Sequence, residues 1–150
     1  MPRLDLSTLP VRTGSNYPAP FAALAGAREK CALGRAAGLQ DFGVNLTRLP
    51  PGAWSSQRHW HTHEDEFVFV LEGELVLITD AGEQILRAGE CAAFPKNVAD
   101  AHHLINRSER MAVYLEVGSN HPEDDVCTYP DIDLHADARG YTHKDGRPYP

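Results

Sequence analysis

Between residues 42 and 117 the chain is a series of short runs, mostly apolar or alternating, each closed by a turn signal. Phe42 to Leu49 runs into Pro50-Pro51-Gly52, Phe67 to Leu71 stops at Glu72-Gly73, and Glu74 to Thr79 stops at Asp80-Ala81-Gly82. Glu83 to Arg87 ends at Ala88-Gly89, Cys91 to Phe94 at Pro95, His103 to Asn106 at the polar stretch Arg107 to Arg110, and Met111 to Val117 at Gly118. Runs of about five residues separated by Gly, Pro and Asp turns predict the strands of a sandwich or barrel. Nothing like a strand–helix–strand unit occurs, so a parallel sheet is not expected and the fold class is all-β. The best helical stretch, residues 21 to 33, has Gly26 inside it and Gly34 directly after it, which predicts a short helical turn or an irregular arm.

Proline marks the limits of this regular region. Of 11 prolines, four (Pro2, Pro10, Pro18, Pro20) lie in the first 20 residues and four (Pro122, Pro130, Pro148, Pro150) in the last 30, leaving only Pro50, Pro51 and Pro95 between. Because proline fixes φ and lacks a donor, it avoids central strands. Three segments follow: an N-terminal arm over 1–41, a barrel core over 42–118 and a C-terminal arm over 119–150. Tyr129, Ile132, Leu134 and Tyr141 give the last arm enough apolar surface to dock on the barrel.

Composition narrows the partners. The chain has 150 residues, 42% hydrophobic and 23% charged, which fits one globular domain. A formal net charge of −7 disfavours nucleic acid and anionic membrane. No apolar run approaches the length of a membrane span, and the N-terminal stretch lacks the apolar segment of a signal peptide. Three widely spaced cysteines, Cys31, Cys91 and Cys127, fit free thiols in a reducing cytoplasm. Cys91, flanked by alanine on a predicted strand, is expected to be buried and inert.

The candidate chemistry is histidine. Five of the eight histidines fall in two clusters, His59-Trp60-His61-Thr62-His63 and His102-His103. On a strand, residues two apart share a face, so His59, His61 and His63 can project together, and Glu66 at the start of the next strand can return a carboxylate. Imidazole and carboxylate are the donors that hold borderline divalent ions. A solvated histidine run with no metal, or a metal-free acid–base pocket, is the plainer alternative.

The run from His59 to Gly73 resembles the first motif of the cupin superfamily: His-x-His, four residues, Glu66, six residues and Gly73. Gly89, five residues, Pro95, a turn, His102, three residues and Asn106 resemble its second motif. More narrowly, Arg58-His59-Trp60-His61 with Glu64-Asp65-Glu66-Phe67, and Asp100-Ala101-His102-His103, resemble small stand-alone bacterial single-domain cupins of uncharacterised function. The resemblance implies a double-stranded β-helix, a jelly-roll-like barrel. It also implies one divalent metal ion (Zn, Fe, Mn or Ni) on His59, His61, Glu66 and His102, and pairing of edge strands into a homodimer.

Two departures bear on the ligands. Gly52 precedes His59 by six intervening residues where the motif has five, and Asn97 stands where the turn after Pro95 usually carries glycine. The second turn is also longer, which leaves His102 and His103 as competing fourth ligands; spacing to Asn106 favours His102. His63 is read as a rim residue or one that supports a ligand, Asp100 as an acceptor for a ligand imidazole or a plain turn residue. Trp54 and Trp60 are read as pocket walls or packing, and Arg58 and Arg87 as substrate-anion binders or surface residues. The expected function is an enzyme acting on a small polar metabolite, an isomerase, lyase or dioxygenase of sugar-acid or keto-acid type. The alternative is a non-catalytic small-molecule binder or sensor.

Overall fold

Thirteen antiparallel strands fall into two facing layers in the computed structural model, which describes residues 3–150. Met1 and Pro2, the start of the expected N-terminal arm, lie outside the described residues. In chain order the strands are β1 (Arg12–Thr13), β2 (Glu29–Ala32), β3 (Phe42–Leu49), β4 (Trp60–His61), β5 (Glu66–Glu72), β6 (Glu74–Thr79) and β7 (Gly82–Arg87), followed by β8 (Cys91–Phe94), β9 (His103–Ile105), β10 (Ala112–Ser119), β11 (Cys127–Tyr129), β12 (Leu134–Asp137) and β13 (Gly140–Thr142). One layer is the six-stranded sheet β1-β2-β3-β10-β5-β8, and the other combines β7-β6-β9 with β13-β12-β11-β4. A single bridge, His59 to His102, joins the two halves of the second layer. The all-β double-stranded β-helix expected from the sequence is the fold observed.

Alternation places the core. Val68 and Val70 of β5 and Leu49, Ala112 and Tyr114 of the first layer pack against Leu75, Leu77, Leu86 and Leu104 of the second. Phe67 and Leu71, on either side of Val68 and Val70 along β5, are exposed, and Phe69 between them is half-buried. Each full burial of such an aliphatic side chain contributes about 1.5–3 kcal/mol before chain entropy is set against it.

The β5–β6 turn depends on Gly73, which has φ +76°; a Cβ there would lie 2.8 Å from the Met111 carbonyl oxygen and 3.1 Å from Ala112 Cα. Backbone cannot yield as a flexible side chain can, and an L-residue at this φ is itself strained. Gly73→Ala is therefore expected to cost about 2 kcal/mol or more, read as a lower urea midpoint at unchanged m-value.

Both ends of the chain contribute strands. The helical stretch expected over 21–33 is only one turn, α1 (Ala19–Ala22), with a 3₁₀ turn after it; Glu29–Ala32 is strand β2 instead. Its four residues pair with Arg48 through Asn45 of β3, so long-range pairing overrides the local helical preference of an Ala-rich segment. At the other end β11 pairs with β4, Cys127 opposite His61 and Thr128 opposite Trp60. Cys127, Tyr129 and Leu134 make a second small core with Tyr17, Phe21, Ile132 and Tyr141. Arg58 fastens this region: its Nε and Nη2 donate to the Asp131 carboxylate at 2.8 and 2.9 Å, and its Nη1 reaches Asp80 and the Ala101 carbonyl. With its donors so engaged, Arg58 is a structural clamp. Among the described residues no helix is long and apolar enough to cross a membrane.

Candidate metal centre

His59 and His102 face each other as cross-strand neighbours. Each backbone N–H donates to the other's carbonyl, at 3.1 and 2.9 Å, which sets both side chains on the same face of the layer. His61, two residues on from His59, shares that face. The turn before His102 is closed by Asn97, with φ +58°, the left-handed conformation that asparagine can adopt in place of the usual glycine, and its N–H donates to the His61 carbonyl at 2.8 Å. Glu66 arrives from the opposite layer, at the start of β5 and in register with Gly118 of β10. A Cβ at 118 would lie 3.3 Å from the Asp65 carbonyl oxygen, a tight approach to the backbone beside Glu66 that glycine avoids.

Three imidazoles converge on this one carboxylate. The Nε2 atoms of His102 and His59 lie 2.6 and 3.5 Å from Glu66 Oε2, and His61 Nε2 lies 3.3 Å from Oε1. The opposite ring nitrogens fix the tautomers. His59 Nδ1 sits 2.8 Å from the Gln57 carbonyl, His102 Nδ1 3.3 Å from the Asp100 carbonyl and His61 Nδ1 2.6 Å from Asp125 Oδ2. Carbonyls and an ionised carboxylate only accept, so each Nδ1 carries the proton and each Nε2 lone pair is aimed at Glu66. Nitrogen lone pairs at these distances from carboxylate oxygens repel unless protons or one cation lie among them. Protonating all three rings would leave a surplus of positive charge in a largely buried site; one divalent ion satisfies all four groups with the rings neutral. The donor set therefore fits a divalent ion, and the outer hydrogen bonds are those that orient ligating histidines.

Without an ion, protons on the ring nitrogens take its place beside Glu66. Burial would raise the Glu66 carboxyl, but the charge of His59 and hydrogen bonds from His102, His59 and His61 hold it well below the usual range. Burial would lower His61, but Glu66 and Asp125 outweigh it and raise that imidazole to about 9. Cys127 Sγ also comes within 4.8 Å of the His59 and His61 ring nitrogens, while burial pushes its thiol upward and keeps it neutral.

The remaining sequence candidates separate clearly. His103 turns the other way, with Nδ1 2.9 Å from the Ser56 carbonyl and its ring edge-on to Trp54. His63 is exposed and its Nδ1 meets Thr62 Oγ1, away from the cluster. Asp100 meets His102 through its backbone carbonyl, while its carboxylate accepts the Asp80 N–H. Asn106 is a buried latch, donating to the Leu49 and Arg110 carbonyls. Arg87 is mostly exposed, and Trp60 lines a small side pocket. Cys91 is exposed, contrary to expectation, because β8 is the outer strand of its sheet and Cys91 points outward from it.

Two contributors were not singled out in the sequence. Asp125, one acid among many in the C-terminal arm, reaches His61 because β11 pairs with β4. Phe94 stacks on His102, with ring centroids 3.6 Å apart. Only the Gly–five residues–Pro spacing around Phe94 hinted at its position.

The cluster opens into a cavity of about 410 Å3 whose wall includes Glu64, Asn45, Glu116, Tyr114, Lys30 and Arg28. Glu64 accepts the His121 N–H at 2.9 Å and lies 3.9 Å from His61; burial raises its carboxyl, opposed by that hydrogen bond.

A family model described as a cupin domain matches residues 45–118. A crystal structure from Silicibacter pomeroyi, described as a sugar phosphate isomerase of the cupin superfamily, is 46% identical, covers 98% of this chain and 96% of its own, and superposes with a TM-score of 0.92. A candidate sugar phosphate isomerase from Acidithiobacillus ferrooxidans is 30% identical over 77% of this chain and 74% of its own, with a TM-score of 0.71. A polyketide cyclase from Streptomyces resistomycificus, 19% identical over 79% of each chain with a TM-score of 0.65, shares the fold alone. No curated protein matches significantly. Near-complete coverage at 46% identity, with the family model spanning His59, His61, Glu66 and His102, shows that the chain belongs to the cupin superfamily.

Proposed function

We propose that His59, His61, Glu66 and His102 hold one divalent ion (Zn, Fe, Mn or Ni) and that the chain is an enzyme interconverting the aldose and ketose forms of a small sugar phosphate. The observation that carries the reading is the aim of three tautomer-fixed imidazoles and one carboxylate into a polar cavity. Isomerisation is chosen over lyase or dioxygenase chemistry because the relative matched at 46% identity is described as a sugar phosphate isomerase. An ion on these groups supplies Lewis acidity to a substrate carbonyl or hydroxyl oxygen.

The chain's own residues supply the rest. Such an isomerisation moves a proton from the hydroxyl-bearing carbon beside the carbonyl to the former carbonyl carbon, while that hydroxyl's proton passes to the former carbonyl oxygen. Glu64 lines the cavity without facing the cluster directly, and its backbone hydrogen bond holds it in place, so it is the group positioned to carry the proton between the two carbons. Phe94 and Tyr129 flank His102 and His59 and keep water from their outer faces.

The test is a panel of small aldose and ketose phosphates incubated with metal-loaded protein in D2O, in air and under nitrogen, followed by NMR. The expected result is isomer conversion with deuterium at the carbon next to the carbonyl, equal in both atmospheres, and lost in Glu64→Gln at unchanged metal content. Oxygen-dependent product identifies a dioxygenase. Silence across the panel with ligand-raised melting temperatures identifies a binder.

A further inference from the structure

The cavity wall away from the imidazoles carries a second constellation. Arg28, just before β2, donates from Nη2 to the Gly14 carbonyl at 3.1 Å and from Nη1 to the Ser55 carbonyl, so its guanidinium is held in place. Its Nε–H is buried and has no acceptor. Tyr114, 1% exposed, lies beside the Thr47 and Ser55 hydroxyls, yet its OH makes no well-formed hydrogen bond. The Ser15 hydroxyl is also buried without a partner. All three residues line the same cavity as the His/Glu cluster. Buried polar groups are normally paired, and three unpaired donors around one space call for an acceptor from outside the chain.

Charge says what kind. Arg12, Arg28 and Lys30 line this end against one carboxylate, Glu116, which Lys30 already engages at 3.3 Å. The other end holds Glu64 and Glu66, with Asp125 behind His61. The register gives the separation: Glu66 pairs with Gly118, which lies four residues along β10 from Tyr114. That is about 14 Å along the strand.

We propose that Arg28, Tyr114 and Ser15 form the binding subsite for the terminal phosphate monoester of the substrate, whose reacting carbonyl end lies at the His/Glu cluster. This rests on the reading of that cluster given above and fixes the substrate as a short polyhydroxy chain phosphorylated at the end remote from the carbonyl. Three donors match the three terminal oxygens of a phosphate, and the guanidinium supplies the charge.

Titration calorimetry with inorganic phosphate, on metal-free and metal-loaded full-length protein, tests it. Phosphate is expected to bind both forms, with a Kd of roughly millimolar, and Arg28→Met and Tyr114→Phe each weaken it about tenfold or more. Metal content stays unchanged in both variants. If Arg28→Met does not fold, Tyr114→Phe and Ser15→Ala, which remove one hydroxyl each, carry the comparison. Unchanged phosphate affinity in the folded variants overturns the subsite, as does binding seen only when metal is present. Malonate bound in preference to phosphate overturns the phosphate assignment. Elemental analysis of the same samples separates the two readings: phosphate binding to wild type that lacks any capacity for metal contradicts the proposed ion but supports the subsite.

Discussion

Glu66→Gln protein is expected to fold, to bind a divalent ion about 100-fold or more weakly than wild type, and to show no turnover. The loss exceeds the roughly 10–100-fold typical when only a group that orients a ligand is removed. Glu66 is the one negative group that all three Nε2 atoms address, at 2.6, 3.3 and 3.5 Å. An amide keeps the shape but removes the charge, and it offers N–H groups where an ion requires a lone pair. Calorimetric metal titration and elemental analysis of protein purified without added metal read the effect. Affinity within about tenfold of wild type would mean that Glu66 is not a ligand. The fold should survive, because Glu66 faces the cavity and the packed core is supplied by other side chains.

Asp125→Asn is expected to weaken metal binding about 10–100-fold above pH 9 and less near pH 6.5. The pH dependence follows from His61. In the metal-free chain, burial opposes its charged form, but Glu66 and Asp125 prevail and raise it from 6.5 to about 9. A folded-state pKa above the unfolded one stabilises the protein fully below about 6.5, and this contribution is lost as pH rises through about 9. An ion needs the Nε2 lone pair, so in wild type metal affinity rises over the same window, with release of a proton. Removing the Asp125 charge lowers His61 and weakens proton competition, which offsets part of the lost ligand orientation at low pH only. Metal titrations at the two pH values check this, and an equal or larger loss at the lower pH would contradict it.

Much of the barrel was legible because its determinants are local. Alternation in β5 and β6, and turns such as Glu72-Gly73 and Asp80-Ala81-Gly82, specify strands and their ends without reference to the rest of the chain. His59, His61, Glu66 and His102 stood out through spacing and family resemblance, and the structure brings them together. What stayed hidden depends on pairing between distant segments. Glu29–Ala32 is a strand only because β3 offers an edge. Asp125 meets His61 only because β11 lies beside β4, and the Arg28 guanidinium is fixed by carbonyls of Gly14 and Ser55. The exposure of Cys91 likewise depends on β8 being an outer strand, which its flanking alanines do not reveal.

The central claim, one divalent ion on four named side chains, is tested most directly by anomalous diffraction above and below the metal absorption edges on crystals of protein purified without added metal. The predicted result is one strong peak per chain, about 2.0–2.3 Å from the Nε2 atoms of His59, His61 and His102 and from a Glu66 carboxylate oxygen. A peak centred instead on Cys127 or between Glu64 and Asp125, or no peak at the four side chains in crystals soaked with each candidate ion, would contradict it.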